Sequence, residues 1–373
     1  MTCVLLLGWS VGGIVCGALA DRIGRRRTLL LTVSLYAVGT SLCALSPNIS
    51  VLLAFRFLAG LGIGGEWAAG ASMVAEVVPE NRRVEAGALL YTAAPFGLFL
   101  GIMANKLIAG TVFQNDPYHS WRYVMLSGIL PAMFALFVRR GIREPVRWQE
   151  TASAAGRPRI SDLFTPDMLR YTMSGLLMAL TGLLTWWSCN AFITVLATQL
   201  AQLTAQAAGM PKVLTQHLIE NWKTYANTCF NWGGLIGTLL TIPIAKYAGR
   251  RAMYGLYFAL ASLAFFITFG LNWAPHTRLG LLFFDGLTIF GIFGSFTFYL
   301  PELFPTRLRA TGSGFCYNVG RIAAAGGALV VGLVAAHGPT GIVHTLFWVG
   351  CVPLVGICCL PWIVETKGKT LPV

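Results

Sequence analysis

Two short motifs recur in this chain at one spacing, and that spacing constrains the fold more than any single residue. Asp21-Arg22-Ile23-Gly24-Arg25-Arg26-Arg27 lies between apolar stretches, as does Lys246-Tyr247-Ala248-Gly249-Arg250-Arg251. Glu76-Val77-Val78-Pro79-Glu80-Asn81-Arg82-Arg83 is matched by Glu302-Leu303-Phe304-Pro305-Thr306-Arg307-Leu308-Arg309. Gly24 to Gly249 is 225 positions (249 − 24), and Glu76 to Glu302 is 226 (302 − 76). Unrelated motifs that share an offset imply two copies of one hydrophobic unit. Internal repeats of this kind underlie many membrane carriers, whose ligand sites lie where the repeats meet.

The lipid bilayer is the solvent this sequence is written for. Hydrophobic residues are 56% and charged residues 11% of the chain, which excludes an ordinary soluble fold. Apolar runs near the ~20 residues needed to cross a bilayer recur eleven times, at 3–20, 29–46, 51–74, 84–108, 122–140, 171–197, 223–245, 252–272, 278–300, 311–335 and 342–363. They lack the alternation of barrel strands, so they are read as helices. The predicted class is an all-α polytopic membrane protein with two pseudo-symmetric bundles of five and six helices. The predicted segments are an N-terminal bundle at 1–140, a cytoplasmic loop at 141–170, a C-terminal bundle at 171–363 and a cytoplasmic tail at 364–373. Residues 201–221 are compatible with a loop or a surface helix.

The net charge of +13 would suit nucleic acid if it were spread over the chain, but it is not. The alternate loops 21–28, 75–85, 139–170, 246–251, 301–310 and 364–373 hold 20 of the 27 Lys and Arg residues. That asymmetry orients them to the cytoplasm and assigns the charge to topology and the bilayer surface. No nucleic-acid partner is expected. The five histidines lie in or beside outer loops. The nine cysteines include no Cys-x-x-Cys pair, and no phosphate-binding loop with a lysine is present, so no metal, no cofactor and no catalytic residue is expected.

The segment Gly17-Ala-Leu-Ala-Asp21-Arg-Ile-Gly24-Arg25-Arg26-Arg-Thr-Leu-Leu30 closely resembles the signature loop of the major facilitator superfamily. Leu58-Ala-Gly60-Leu-Gly62-Ile-Gly64, followed by Glu76 and Arg83, resembles the fourth-helix signature of its sugar porters and metabolite:proton symporters, departing at Met73. Arg143-Glu144-Pro145-Val146-Arg147-Trp148 and Glu365-Thr366-Lys367-Gly368 are similar to the segments that follow family helices six and twelve. The resemblance implies twelve helices, with helices one, four, seven and ten lining a cavity. Here the signature loop follows the first span, so helix one is missing from the match, as in a shortened gene model. The resemblance also implies that Asp21, Arg25, Arg26, Glu76, Arg83, Arg250, Arg251, Glu302 and Arg309 form ion pairs that act as a conformational latch, with Glu76 and Glu302 as the acids. Taken as exposed pairs, each is worth about 0–1 kcal/mol.

Ionisable residues inside spans carry the rest of the information, because each costs at least about 2.5–3.5 kcal/mol to insert. Arg321 has Tyr317 at i−4 and Asn318 at i−3, which puts a phenol, an amide and a guanidinium on one helix face. A planar cation beside hydrogen-bonding groups suits a carboxylate. The alternative is that Arg321 snorkels or pairs structurally with an acid elsewhere. Trp186, Trp187 and Asn190 share one side of their helix, and Asn227 and Asn231 share a side of the next, in the manner of a pocket for a modest organic ligand. Glu66 at mid-span, Asp285 nearer the outer end and Arg56, which resembles the family's fourth-helix arginine, are the candidates for proton coupling. Gly60-x-x-x-Gly64 reads as a close helix contact. Ala93-Ala94-Pro95-Phe96-Gly97 is a degraded form of the antiporter motif in the resembled family, which favours symport or uniport.

The expected function is therefore secondary active transport of a small polar metabolite across the cell membrane, an organic anion ahead of a sugar, by a monomer using proton symport and alternating access. The substrate-binding candidates are Arg321, Tyr317, Asn318, Trp187, Asn190 and Asn231. The competing expectation is a non-transporting membrane sensor or inactive fragment, because helix one is missing from the match. A membrane-embedded enzyme finds no support in any nucleophile–base spacing.

Overall fold

A computed structural model of the chain describes residues 2–113, 116, 119–154, 158–335 and 338–372. Among these the regular structure is entirely helical. The order is α1 (Thr2–Ile23), α2 (Arg25–Ala44), α3 (Ile49–Val77), α4 (Arg83–Leu107), α5 (Ser120–Ser127), α6 (Ile129–Arg140), α7 (Val146–Ala154), α8 (Pro166–Ala207), α9 (Lys212–Tyr247), α10 (Arg250–Gly270), α11 (Pro275–Leu303), α12 (Arg309–Ala335), α13 (Gly338–Val349) and α14 (Val352–Cys358). Ten stretches among the described residues are long and apolar enough to cross a membrane. The remaining expected span, 311–335, falls on α12.

The structure adds detail to four of the expected segments. The run 122–140 is interrupted at Gly128, and the run 342–363 at Gly350 and Cys351, just before Pro353. The ambiguous stretch 201–221 is mostly helical, because α8 continues to Ala207 and α9 begins at Lys212, with a turn at Gly209 (φ 62°) between them. At 1.5 Å per residue the 42-residue α8 is about 60 Å long, twice the hydrocarbon thickness, so it extends beyond the hydrocarbon layer. The central segment 141–170 contains α7 and a short 3-10 turn at Ile160–Phe164.

The chain forms two compact units. The first comprises Met1–Leu176 with Thr297–Ile322 and Gly368–Val373; the second comprises Leu177–Phe296 with Ala323–Lys367. In the first, α1 and α3 meet backbone to backbone. Gly8 and Gly12 of α1 lie on the carbonyls of Phe57 and Leu61, while Gly60 of α3 lies on Leu5 and Trp9. In the second, α9 and α11 do the same. Gly233 and Gly237 lie on the carbonyls of Phe283 and Leu287, and Gly286 lies on Phe230. These glycines match at offsets of 225 (233 − 8), 225 (237 − 12) and 226 (286 − 60). The repeat therefore extends from the loop motifs to the helix contacts. In lipid such contacts must come from close packing, since hydrophobic burial no longer separates one apolar helix from another. Gly64 completes the expected pair, facing the backbone of Trp9 and Gly13.

Candidate functional site

Arg321 anchors the first candidate site. Its side chain is 2% exposed, on the α12 face it shares with Tyr317 and Asn318. Nη1 donates to Asn318 Oδ1 at 2.8 Å, and Asn318 is steadied by a bond from Nδ2 to the Gly314 carbonyl at 2.7 Å. The guanidinium lies over the Trp9 ring at 3.9 Å and the Tyr317 ring at 4.5 Å, and Tyr317 stacks in turn on Trp67 at 4.0 Å. Tyr91 of α4 is close enough to interact with the guanidinium. Nε has no hydrogen-bond partner, and among the described residues no carboxylate is within ion-pair distance of Arg321. The described residues thus show no structural pair between Arg321 and an acid. Cation–π contacts offset part of the cost of burying the charge, and the guanidinium retains donor capacity for an acidic ligand.

Sequence reasoning missed Trp9 and Tyr91, and took Trp67 only as a neighbour of Glu66. Aromatics in apolar runs look the same whether they face lipid, an interface or a ligand. Only the approach of α1 to α3 and α12 makes Trp9 part of this site. Gly13 gives the closest view of that approach, because it leaves no room for a side chain next to the Asn318 amide.

The second group of substrate candidates lies in the other unit. Trp187 packs against Trp186 at 4.6 Å, and Trp186 packs against Phe290 and Phe293. Asn190 is half-buried one turn beyond Trp186. Asn231 on α9 is 4% exposed, and its Oδ1 has no hydrogen-bond partner. Phe290 links these helices, touching both Trp186 and Phe230, the residue before Asn231.

The three coupling candidates have different surroundings. Glu66 is half-buried on the α3 face that meets α2, close enough to Tyr36 to act on its phenol. Arg56 donates from Nη2 to the Met125 sulfur at 3.3 Å, while its Nε is buried without a partner. Asp285 is fully buried in α11, and neither carboxylate oxygen has a hydrogen-bond partner. Thr268 and Cys189 lie near it, but outside hydrogen-bond geometry. An ionised carboxylate in such a place is costly, and a bound proton removes the charge.

The latch candidates form a cluster, but a buried one, which corrects the expectation of exposed pairs. Arg25 reaches Asp21 at 2.9 Å and Glu76 at 2.8 Å, and Arg309 reaches Glu76 at 3.0 Å, all with fully buried side chains. Asp21 also accepts from the backbone N–H groups of Ala310 (3.3 Å) and Thr311 (2.7 Å), capping α12. Arg83 and Glu302 stand 3.8 Å apart and are nearly buried. A buried cluster resists disruption more than surface pairs do, because removing one member strands the others.

The backbone N–H groups of Arg26, Arg250 and Arg251 are held by two acids outside the expected latch set. Glu144 accepts the N–H groups of Arg26 (3.1 Å) and Arg27 (3.3 Å) at the start of α2. Glu365 accepts those of Arg250 (3.0 Å) and Arg251 (2.9 Å) at the start of α10. Gly24 (φ 107°) and Gly249 (φ 92°) hold the turns in a conformation open only to glycine, which leaves the first-turn donors free for a distant carboxylate. Burial pushes the Glu365 carboxyl up, but the N–H groups of Arg250, Arg251 and Lys367 and the Arg250 charge outweigh it and hold it below the ordinary range. The sequence contained Glu144 and Glu365 in recognisable segments, yet gave no sign of which helix end each caps.

Residues 1–328 match the family model described as Major Facilitator Superfamily. The chain is 30% identical over 371 residues to a probable 4-methylmuconolactone transporter of Cupriavidus pinatubonensis, covering 98% of this chain and 81% of that one. It is 26% identical to a cis,cis-muconate transport protein of Acinetobacter baylyi, over 90% of this chain and 78% of that one. Among solved structures, the proton:xylose symporter XylE of E. coli has a similar fold, with a TM-score of 0.68 at 18% identity, covering 99% of this chain and 86% of that one.

Proposed function

The chain belongs to the major facilitator superfamily, and from that premise we propose that its cargo is a small organic anion whose carboxylate is held by Arg321. It is a multi-pass secondary transporter of the cell membrane, not an enzyme. One observation carries the choice of cargo: a guanidinium 2% exposed, faced by aromatic rings, with no carboxylate of the described chain to neutralise it. A carboxylate ligand would supply the missing charge through charge-assisted hydrogen bonds, and flat apolar parts of the same ligand would suit Trp9, Trp67 and Tyr317. The compounds for which two relatives are named, 4-methylmuconolactone and cis,cis-muconate, are of this chemical kind. A sugar, as for the proton:xylose symporter XylE, is the second reading, but a neutral ligand would leave Arg321 uncompensated.

Proton symport completes the proposal, with Asp285 as the first candidate for the proton site and Glu66 as the second, and Arg56 as a charge that biases the half-buried side of α3. Trp187, Asn190 and Asn231 would contact the remainder of the substrate. The buried Asp21–Arg25–Glu76–Arg309 cluster and the Arg83–Glu302 pair would serve as latches during alternating access by a monomer, with the repeats divided as 1–140 and 171–363. Titration of the purified protein with cis,cis-muconate and with xylose, read by tryptophan fluorescence, tests the cargo. Saturable quenching by muconate alone is expected. Quenching by xylose with none by a panel of organic acids would replace the anion by a sugar, and uptake of neither by proteoliposomes would favour a sensor.

A further inference from the structure

A second polar feature lies in the other unit, at the helix ends opposite the basic loops, and no transport role above uses it. A cleft of about 480 Å³ opens there among α8, α10, α11 and α13. Its floor is apolar, formed by Leu200, Leu203, Phe269, Val343 and Phe347. Arg278, His344, Asn272 and Thr340 stand around it, and none of the lining residues is acidic.

Arg278 is fixed in place. Nε donates to the Thr268 carbonyl at 3.2 Å and Nη2 to the Leu271 carbonyl at 2.9 Å, so the guanidinium satisfies the free end of α10. Nη1 has no hydrogen-bond partner among the described residues, and it belongs to the half-buried side chain that lines the cleft. On α13, Trp348 Nε1 donates to His344 Nε2 at 3.3 Å. With Nε2 accepting, the neutral imidazole carries its proton on Nδ1 and keeps a donor for a ligand. Two nitrogen donors, one permanently charged, are thus offered above an apolar floor with no counter-charge.

We propose that this cleft binds the headgroup of an anionic outer-leaflet phospholipid, its phosphodiester taken by Arg278 and assisted by His344. The position selects a lipid over a free anion. Helix ends at this level stand at the headgroup layer, and the apolar floor continues into exposed Leu203, Leu271 and Trp348, which suit acyl chains and the membrane interface. Fixing Arg278 by two carbonyls in advance lowers the entropic cost of ordering it around a phosphate. The inference does not depend on the identity of the transported substrate.

The test uses the full chain purified in mild detergent, with native mass spectrometry after addition of phosphatidylglycerol or phosphatidylethanolamine at equal concentration. One phosphatidylglycerol per protein should survive, with at least tenfold preference over phosphatidylethanolamine. Arg278→Gln should abolish that preference. Because Arg278 also caps α10, His344→Asn and Thr340→Val are read beside it; His344→Asn should weaken retention severalfold without lowering the melting temperature in lipid-free detergent. Equal retention of the two lipids by the parent protein would overturn the proposal, as would unchanged phosphatidylglycerol binding by both Arg278→Gln and His344→Asn. Displacement of the lipid by millimolar inorganic phosphate or benzoate would also overturn it, assigning the cleft to a free anion.

Discussion

Replacing Glu76 by glutamine removes one charge from a group that sums to zero: Arg25 and Arg309 against Asp21 and Glu76. Glu76 accepts three hydrogen bonds, from Arg25 Nε (3.0 Å), Arg25 Nη2 (2.8 Å) and Arg309 Nη1 (3.0 Å). Glutamine preserves the shape but leaves a buried excess of one positive charge, and loss of one partner from a buried ion group costs about 3–5 kcal/mol. At roughly 2–4 °C per kcal/mol, the melting temperature in detergent should fall on the order of 10 °C. Glu365→Gln is the matched control. It also removes a carboxylate bound to backbone N–H groups, but from a half-exposed site, where solvent limits the loss to about 1 kcal/mol and a few degrees. Differential scanning fluorimetry of both variants measures the contrast. Arg309→Gln in the Glu76→Gln background restores neutrality, so the double variant should lose less than the sum of the singles, with a coupling of about 0.5–3 kcal/mol. Additive losses, or a Glu76→Gln shift no larger than that of Glu365→Gln, would refute the argument that burial sets the strength of this cluster.

Arg321→Lys should weaken carboxylate binding about ten- to a hundredfold, the cost of about 1.5–3 kcal/mol for a lost charge-assisted bond, while the melting temperature stays put; lowered stability with intact affinity would make Arg321 structural. Asp285→Asn should leave counterflow exchange working but abolish gradient-driven accumulation, and Glu66→Gln should do so less completely; if only Glu66→Gln has the effect, the proton site moves to α3. Glu365 is held below its unfolded value, so its contribution to stability is full above the ordinary glutamate range and is lost as pH falls through the folded value. Glu365→Gln should therefore flatten the fall in melting temperature below about pH 4.5, and an unchanged acid limb would exclude the capping role. Gly237→Val should prevent α9 from reaching α11 and lower the yield of folded protein sharply, whereas Gly97→Val, where nothing lies within 4 Å, should have little effect.

The residues differ in how legible they were before the fold was known. Arg25, Glu76 and Arg309 announced themselves by motif and repeat. Their partnership was half visible, because Glu76 and Arg309 lie in different copies and only packing brings them together. Glu144 and Glu365 carried no signal of their targets, since a carboxylate can cap any helix start within reach. Arg321 with Tyr317 and Asn318 followed from helical spacing alone, but the Trp9 face that covers the guanidinium did not, because it comes from another helix.

The sequence alone settled the membrane-spanning helical class and the repeat, and set the expectation of an orientation. These depend on properties that act along the chain: the length of apolar runs against bilayer thickness, the side on which positive charge collects, and the period of the motifs. Tertiary structure decided which charges are buried and which carboxylate caps which helix. It also left Arg321 without an acid and Asp285 without a partner among the described residues. Those outcomes depend on distances between side chains far apart in sequence, and a difference of a few ångströms or a layer of excluded water changes a pair's worth severalfold. No pattern along one strand of residues encodes that difference until the glycine contacts have brought the helices together.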